Sequence, residues 1–216
     1  MKKLSIKLIL ASILTSIATH ITLSRENPVN GNPVAGKEKA IICIGCHGRD
    51  GNSTNPEYPK LAGQVPAYLY KQIFDFKKGL RKDETMSSMA LSIDDKDVAD
   101  VVVFFSNQKP KKPMRKTLKT NLLGKTIYHN GIKLKNVAAC ASCHGKNGLG
   151  HPKSRYPALA GQHTDYLVKA LKKFKSGIRR NDLLLEMRNI TAKLTETEIE
   201  AVAAYIANLK WKSGQL

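Results

Sequence analysis

The sequence predicts an all-α protein built from two tandem domains. No segment alternates with the period of a strand, whereas apolar residues recur at helical spacing. The chain also repeats itself: "YPKLAGQVPAYLYKQIFDFKKGLR" from Tyr58 aligns in register with "YPALAGQHTDYLVKALKKFKSGIR" from Tyr156. The 216 residues suffice for two domains of roughly 100 residues each. We place these domains at residues 34–108 and 122–212, joined by a Lys/Pro-rich linker at 109–121.

Each half predicts the same order of elements: a helix, a cysteine motif, a loop, a second helix, a methionine loop and a last helix. The second helix carries one apolar stripe per half, ended by Gly79 or Gly177. Its stripe residues are Leu69, Ile73 and Phe76, and then Leu167, Leu171 and Phe174. The last helix opens with an N-cap pattern in both halves, at Asp94 and at Thr195.

The N-terminal segment predicts where the protein is located, and the net charge predicts what kind of partner it binds. Residues 1–18 have a cationic tip followed by an apolar run, which predicts a secretory signal peptide that is cleaved after Ala18 or kept as an anchor. The formal charge of +19 favours partners with acidic docking surfaces, or an anionic membrane surface. We therefore expect a periplasmic protein, with possible membrane association.

Each half contains the motif Cys-x-x-Cys-His-Gly, which is the signature for covalent attachment of c-type haem. The motif residues are Cys43, Cys46 and His47, and then Cys140, Cys143 and His144. A structural zinc site or a redox dithiol is the alternative. Zinc would need four ligands per site, and the other histidines do not recur at matched positions. We interpret three of them, His129, His151 and His163, as surface residues.

A methionine in each half supplies the candidate sixth ligand of the iron. Met86 and Met187 align in the repeat, and a thioether is a soft neutral ligand that raises the reduction potential. Met89 competes with Met86, although its counterpart is Ile190, which cannot bind iron. The remaining nitrogen of each axial histidine needs a carbonyl acceptor, which Pro59 and Pro157 can supply unless they are plain turn prolines.

Two further expectations follow from a pair of haems. Each half has few large apolar side chains, so haem would fill much of its core, and we expect a chain without haem to be unfolded or molten. Arg81 and Arg179 are either partners of the haem propionates or exposed cations. Nucleic acid and a small-molecule substrate are not expected for such a protein.

The doubled "CxxCHG", the "YPxLAGQ" turns and the ending "MxxxxAKLTxxEI" closely resemble the diheme cytochromes c of the c4 type across residues 36–209. The resemblance implies two cytochrome c domains that face each other across a pseudo-twofold axis, each wrapped around one covalent haem. It implies thioethers at the four cysteines and axial pairs of His47 with Met86 and His144 with Met187.

The function implied is that of a periplasmic carrier, not an enzyme, that passes single electrons between respiratory partners and towards a terminal oxidase. An electron-accepting subunit of a dehydrogenase, such as a flavocytochrome c sulfide dehydrogenase, is the alternative. A diheme peroxidase is disfavoured because it needs one open iron, and the two aligned methionines argue against that.

Overall fold

The computed structural model describes residues 29–111 and 122–211, apart from 152 and 154. The predicted signal peptide and most of the predicted linker lie outside these residues. The described chain contains ten α-helices and three short 3-10 helices. The α-helices are α1 (Pro33–Lys39), α2 (Ile41–His47), α3 (Pro66–Lys77), α4 (Met86–Leu91), α5 (Val98–Ser106), α6 (Leu122–Asn130), α7 (Ala141–His144), α8 (Thr164–Lys175), α9 (Glu186–Thr191) and α10 (Glu196–Ala207).

The expectation of an all-α fold is confirmed. Within the described residues the only β-pairing is an isolated bridge between Ile132 and Val137, in the segment that precedes Cys140. No helix among them is long and apolar enough to cross a membrane.

The first and last helices of each half cross at a glycine. A Cβ on Gly36 of α1 would lie 2.0 Å from the carbonyl oxygen of Asp100 in α5. A Cβ on Gly124 of α6 would lie 2.1 Å from the carbonyl oxygen of Ala201 in α10. Only glycine permits backbones to approach this closely, so the two halves use the same device to close their bundles.

The core of each half lies between its last helix and its stripe helix. Val98, Val102 and Phe105 of α5 pack with Leu69 of α3, and Val202 and Ile206 of α10 pack with Leu167 of α8. The other stripe residues divide by position: Phe76 and Phe174 are buried, whereas Ile73 and Leu171 are partly buried. Burial of these apolar side chains is the main stabilising term of both halves.

The two last helices begin differently, which corrects one expectation. The Thr195 hydroxyl accepts a hydrogen bond from the Glu198 backbone N–H, and the Glu198 side chain binds back to the Thr195 N–H, forming a capping box. Asp94 makes no side-chain cap, because a 3-10 turn at Asp95–Asp97 separates it from α5, which begins at Val98. The same N-cap pattern is therefore used in only one half.

Candidate haem sites and the interface between them

The first cysteine motif lies on α2 and ends it. Cys43, Cys46 and His47 lie within the last five residues of this helix. The two half-buried, unpaired thiols are therefore about one helical turn apart. Gly48 then adopts φ 82°, and a Cβ there would lie 2.8 Å from the Asn52 carbonyl oxygen. The turn therefore requires glycine, and it directs the chain into the loop that follows.

The second motif has the same geometry on a shorter helix. Cys140 is the N-cap of α7, which carries Cys143 and His144 and ends at Gly145 with φ 81°. Burial raises the pKa of both Cys43 and Cys140 to about 11. The attacking thiol of a redox dithiol has a lowered pKa, and neither Cys43 nor Cys140 has one.

The histidine of each motif is buried and oriented by a proline carbonyl. His47 Nδ1 lies 2.8 Å from the Pro59 carbonyl oxygen, and His144 Nδ1 lies 3.0 Å from that of Pro157. A carbonyl can only accept a hydrogen bond, so Nδ1 carries the proton and Nε2 presents a lone pair. Burial also lowers the pKa of both imidazoles, which favours the neutral ring that binds metals.

The candidate methionines occupy matched positions at the start of short helices. Met86 is the first residue of α4, which packs on α3, and Met187 is the second residue of α9, which packs on α8. Both side chains are half-buried, as is that of Met89, one turn further along α4. In each half, the candidate methionine therefore lies on a short helix that packs against the stripe helix.

An acid at the start of α9 binds the tyrosine beside the second site. Glu186 accepts a hydrogen bond of 2.9 Å from the hydroxyl of Tyr156, whose ring lies edge-on to His144. This bond and burial raise the pKa of Tyr156 to about 12. The matching residue before Met86 is Thr85, and the acid nearest to Met86 has other partners: Asp83 accepts from the Met86 N–H at 3.3 Å and pairs with Lys173.

Two glutamines lock the halves together about a pseudo-twofold axis. Gln64 Oε1 accepts from the Ala158 N–H at 2.7 Å, and its Nε2 donates to the Ala158 carbonyl at 2.9 Å. Gln162 makes the same pair of bonds to Lys60, at 2.9 and 3.0 Å. Gln64 and Gln162 align in the repeat, as do Lys60 and Ala158, so the interface is isologous.

Sequence reasoning missed these glutamines, although they recur in both "LAGQ" turns without a role at the haem. It also interpreted His163 as an ordinary surface residue, whereas His163 is half-buried at the domain interface. Its Nε2 lies 2.9 Å from the Ser53 hydroxyl and 3.0 Å from the Ser53 carbonyl oxygen, across the domain interface. The counterpart of His163 in the first half is Val65, so no repetition could have revealed this contact.

A buried cationic cluster lies between the halves. Arg81 donates to the Tyr166 hydroxyl at 3.3 Å, and Arg179 donates to the Tyr68 hydroxyl at 3.1 Å, each in the opposite half. Both guanidiniums also donate to the amide oxygen of Gln72. Burial would raise the pKa of Tyr166, but the two guanidiniums outweigh it and lower that pKa.

This cluster tests whether the site fits a pair of haems. Arg179 is 6% exposed, and among the described residues no carboxylate lies within salt-bridge distance of either guanidinium. Buried cations need partners, and haem propionates would supply anionic ones to Arg81 and Arg179. The donor set also fits, since each half offers two thiols, a neutral imidazole and a thioether. No group of three or more His, Cys, Asp or Glu in the described chain could hold a metal ion by itself.

Comparison with known proteins places this architecture. A family profile described as "Cytochrome c" matches residues 34–109 and 123–210. Cytochrome c4 of Pseudomonas aeruginosa is 37% identical over 97% of this chain and 100% of its own length. A thiosulfate dehydrogenase electron acceptor of Thiomonas intermedia is 33% identical over 80% of this chain and 81% of its own length.

A solved structure shares the arrangement of both halves. The crystal structure of reduced recombinant cytochrome c4 from Pseudomonas stutzeri superposes with a TM-score of 0.80 at 37% identity. It covers 84% of this chain and 100% of that one. Two tandem cytochrome c domains with a Cys-x-x-Cys-His motif in each, and relatives of this similarity, show that the chain belongs to the diheme cytochromes c4, electron-transfer proteins with two haem c groups.

Proposed function

We propose that each half holds its haem by thioethers from its cysteine pair and closes the iron between a histidine and a methionine. The axial pairs are His47 with Met86, and His144 with Met187. The observation that supports this most directly is the matched hydrogen bond from each Nδ1 to a proline carbonyl, which leaves Nε2 free as a ligand. When bound, each haem supplies a one-electron Fe(III)/Fe(II) couple.

Met86 is preferred over Met89 in the first half because of the repeat. Met187 sits just after the start of its helix, and Met86 is at the matching place, whereas the counterpart of Met89 is Ile190. The Asp83 carboxylate accepts a hydrogen bond from the Met86 N–H at 3.3 Å, which fixes the start of α4.

The domain interface is the proposed route between the two redox centres. Arg81 and Arg179 both donate to one glutamine oxygen at the interface, and these two guanidiniums would hold propionates of the two haems there. The isologous glutamine bonds fix the two halves relative to each other, which would hold the two centres in a defined arrangement for electron transfer. The units are residues 34–108 and 122–212, with 109–121 as the connection.

As the physiological role, we infer a periplasmic carrier that accepts single electrons from a respiratory donor and delivers them towards a terminal oxidase. The apolar leader at 1–18 supports export, and the charge of +19 supports acidic partners and contact with anionic membranes. A role as the electron acceptor of a dehydrogenase is the second candidate, because a relative with that name is 33% identical over most of both chains.

The direction of transfer is tested with the purified, haem-loaded protein. Reduced protein is mixed with detergent-solubilised membranes of the host, and its reoxidation is followed with and without cyanide. Rapid, cyanide-sensitive reoxidation is the expected result. Rapid reduction by a thiosulfate-oxidising extract, with no reoxidation by the membranes, would instead establish the dehydrogenase role. Turnover of hydrogen peroxide would contradict closed irons in both halves.

A further inference from the structure

Three consecutive leucines are exposed beside the second site. They form a 3-10 turn, Leu183–Leu185, directly before Glu186 and Met187, and are 66%, 79% and 46% exposed. The first half has no equivalent: between the matched residues Arg81 and Met86 it is three residues shorter and contains only polar side chains. An exposed apolar cluster that is absent from the sister loop needs a reason.

The backbone of this turn is held in an unfavourable conformation. Leu184 has φ 52° and Leu185 has φ 61°, in the left-handed region that residues with a side chain rarely adopt. Hydrophobic collapse does not explain this conformation, because the leucine side chains remain in solvent. Strained residues of this kind are retained where the surrounding structure imposes them, often at functional surfaces.

A clamp at the base of the turn imposes the conformation. The Asp182 carboxylate, on one side of the leucines, accepts from the Arg188 N–H at 3.0 Å and from its Nε at 2.7 Å on the other side. Arg188 also donates to the Arg180 carbonyl oxygen. The Asp182 side chain is only 4% exposed and that of Arg188 is 28% exposed, so the two bonds are partly shielded from water. The leucines are therefore presented on a rigid base.

The charge distribution indicates the kind of partner. Residues 34–108 contain ten Lys or Arg and ten Asp or Glu, so the first half is neutral. Residues 122–212 contain sixteen Lys or Arg and only six Asp or Glu, and residues 109–121 add six more cations and no acid. The second half thus has a net charge of +10 while the first half is neutral, so the half that carries the leucines attracts an acidic surface.

We propose that the Leu183–Leu185 turn is the apolar centre of a docking surface for an acidic redox protein, next to the second haem site. The leucines bury against an apolar patch of the partner, and the cationic excess of the second half attracts the partner's acidic groups. Because the turn adjoins Met187, docking there brings the partner close to one of the two redox centres. This inference rests on the proposed carrier function, but it does not depend on which oxidase or dehydrogenase is the partner.

The test measures binding of the haem-loaded protein to two coated gold surfaces. One carries carboxylate-terminated alkanethiols alone, and the other carries carboxylate- and methyl-terminated thiols together, as a defined acidic and apolar face. We expect the triple variant Leu183→Ser, Leu184→Ser, Leu185→Ser to need about tenfold more protein for half-coverage of the mixed surface, with little change on the carboxylate surface. The single variant Leu184→Ser should show a smaller shift in the same direction.

Leu134→Ser is the matched control, because Leu134 is fully exposed in the same half but outside the turn. Wild-type coverage by the triple variant, or an equal loss in Leu134→Ser, would overturn the proposal. So would altered haem potentials in Leu184→Ser, since the leucine would then pack on the porphyrin. Weaker binding of the variant to vesicles of phosphatidylglycerol and phosphatidylethanolamine would mean that the leucines enter lipid, which also overturns it. Surface coverage is measured by adsorbed mass and does not depend on redox activity. A protein that binds as expected but shows no reversible redox wave would therefore contradict the carrier function and not the docking surface.

Discussion

The two halves share a scaffold and differ in what surrounds it. In both, the first and last helices cross at a glycine, and a buried histidine is oriented by a proline carbonyl. Each half also has a glutamine that hydrogen-bonds to the backbone of the opposite half. They differ in net charge, in the methionine loop, and in the glutamate that binds the tyrosine beside the second site. The repeated features form the candidate haem sites and the interface, whereas we propose that the differing features contact partners or tune one centre.

The largest expected effect comes from removing one cysteine pair. Cys43→Ala with Cys46→Ala should halve the haem content and unfold the first half, because a domain of this size has only roughly 5 kcal/mol of stability and would lose its central ligand. The matching change at Cys140 and Cys143 should do the same to the second half. Pyridine haemochrome absorbance and thermal melting followed by circular dichroism measure both effects. A half that melts cooperatively without haem would break the proposed equivalence.

The glutamines at the interface should differ in their contribution. Gln64→Ala leaves the buried N–H and carbonyl of Ala158 without partners, so we expect a loss of about 2–3 kcal/mol in the free energy of unfolding. Gln162→Ala should cost about 1–2 kcal/mol, because its bonds to Lys60 are only partly buried and water can replace them.

Urea denaturation measures these losses, with Gln108→Ala as the control. Gln108 donates a partly buried hydrogen bond of 2.9 Å to the Phe104 carbonyl within its own half, so it leaves the interface unchanged. Equal losses for Gln64→Ala and Gln108→Ala would argue that the glutamine exchange does not hold the halves together.

The acid at Glu186 should lower the potential of one haem only. Its negative charge stabilises ferric iron, so Glu186→Gln, which keeps the acceptor for Tyr156, should raise the second potential by about 40–60 mV, or roughly 1 kcal/mol. The mirror change Thr85→Glu should lower the first potential by a similar amount. Potentiometric titration of both variants checks this. A shift of both haems, or of neither, would remove the acid as a source of asymmetry.

His163 should make the interface weakly sensitive to pH. Burial lowers the pKa of His163 below its ordinary 6.5, and Lys60 adds to the effect. Between the folded and unfolded pKa values the unfolded chain binds more protons, so the free energy of unfolding should fall as pH drops below about 6.5. We expect a loss of about 1 kcal/mol or less. Urea denaturation of the wild type and of His163→Val at several pH values isolates the effect. The same dependence of unfolding free energy on pH in both proteins would contradict it.

Spacing and repetition were enough to predict much of this molecule. The apolar stripes of α3 and α8, the glycines after them and the motif helices follow from local rules, because a period of 3.6 and a left-handed glycine are properties of the nearby sequence. The sequence left two roles open for Pro59 and Pro157, a carbonyl acceptor for the histidine or a plain turn proline. The hydrogen bond from histidine to proline is present in both halves.

What the sequence did not reveal depends on contacts between distant residues. The exchange of Gln64 and Gln162 needs the relative placement of two domains, which no local pattern encodes. His163 bonds to Ser53, 110 residues away, and its pseudo-twofold counterpart is a valine. Asp94 matches the pattern of Thr195 but fails as a cap, since the chain makes a 3-10 turn before α5 begins.

The central claim is that both irons are closed between histidine and methionine. The most direct measurement is the far-red charge-transfer band of the oxidised protein, which arises from a methionine sulfur bound to ferric haem. We predict a band equivalent to two haems, halved by Met86→Ala or by Met187→Ala and unchanged by Met89→Ala. A wild-type band equivalent to one haem or none, or loss of intensity in Met89→Ala, would contradict the account.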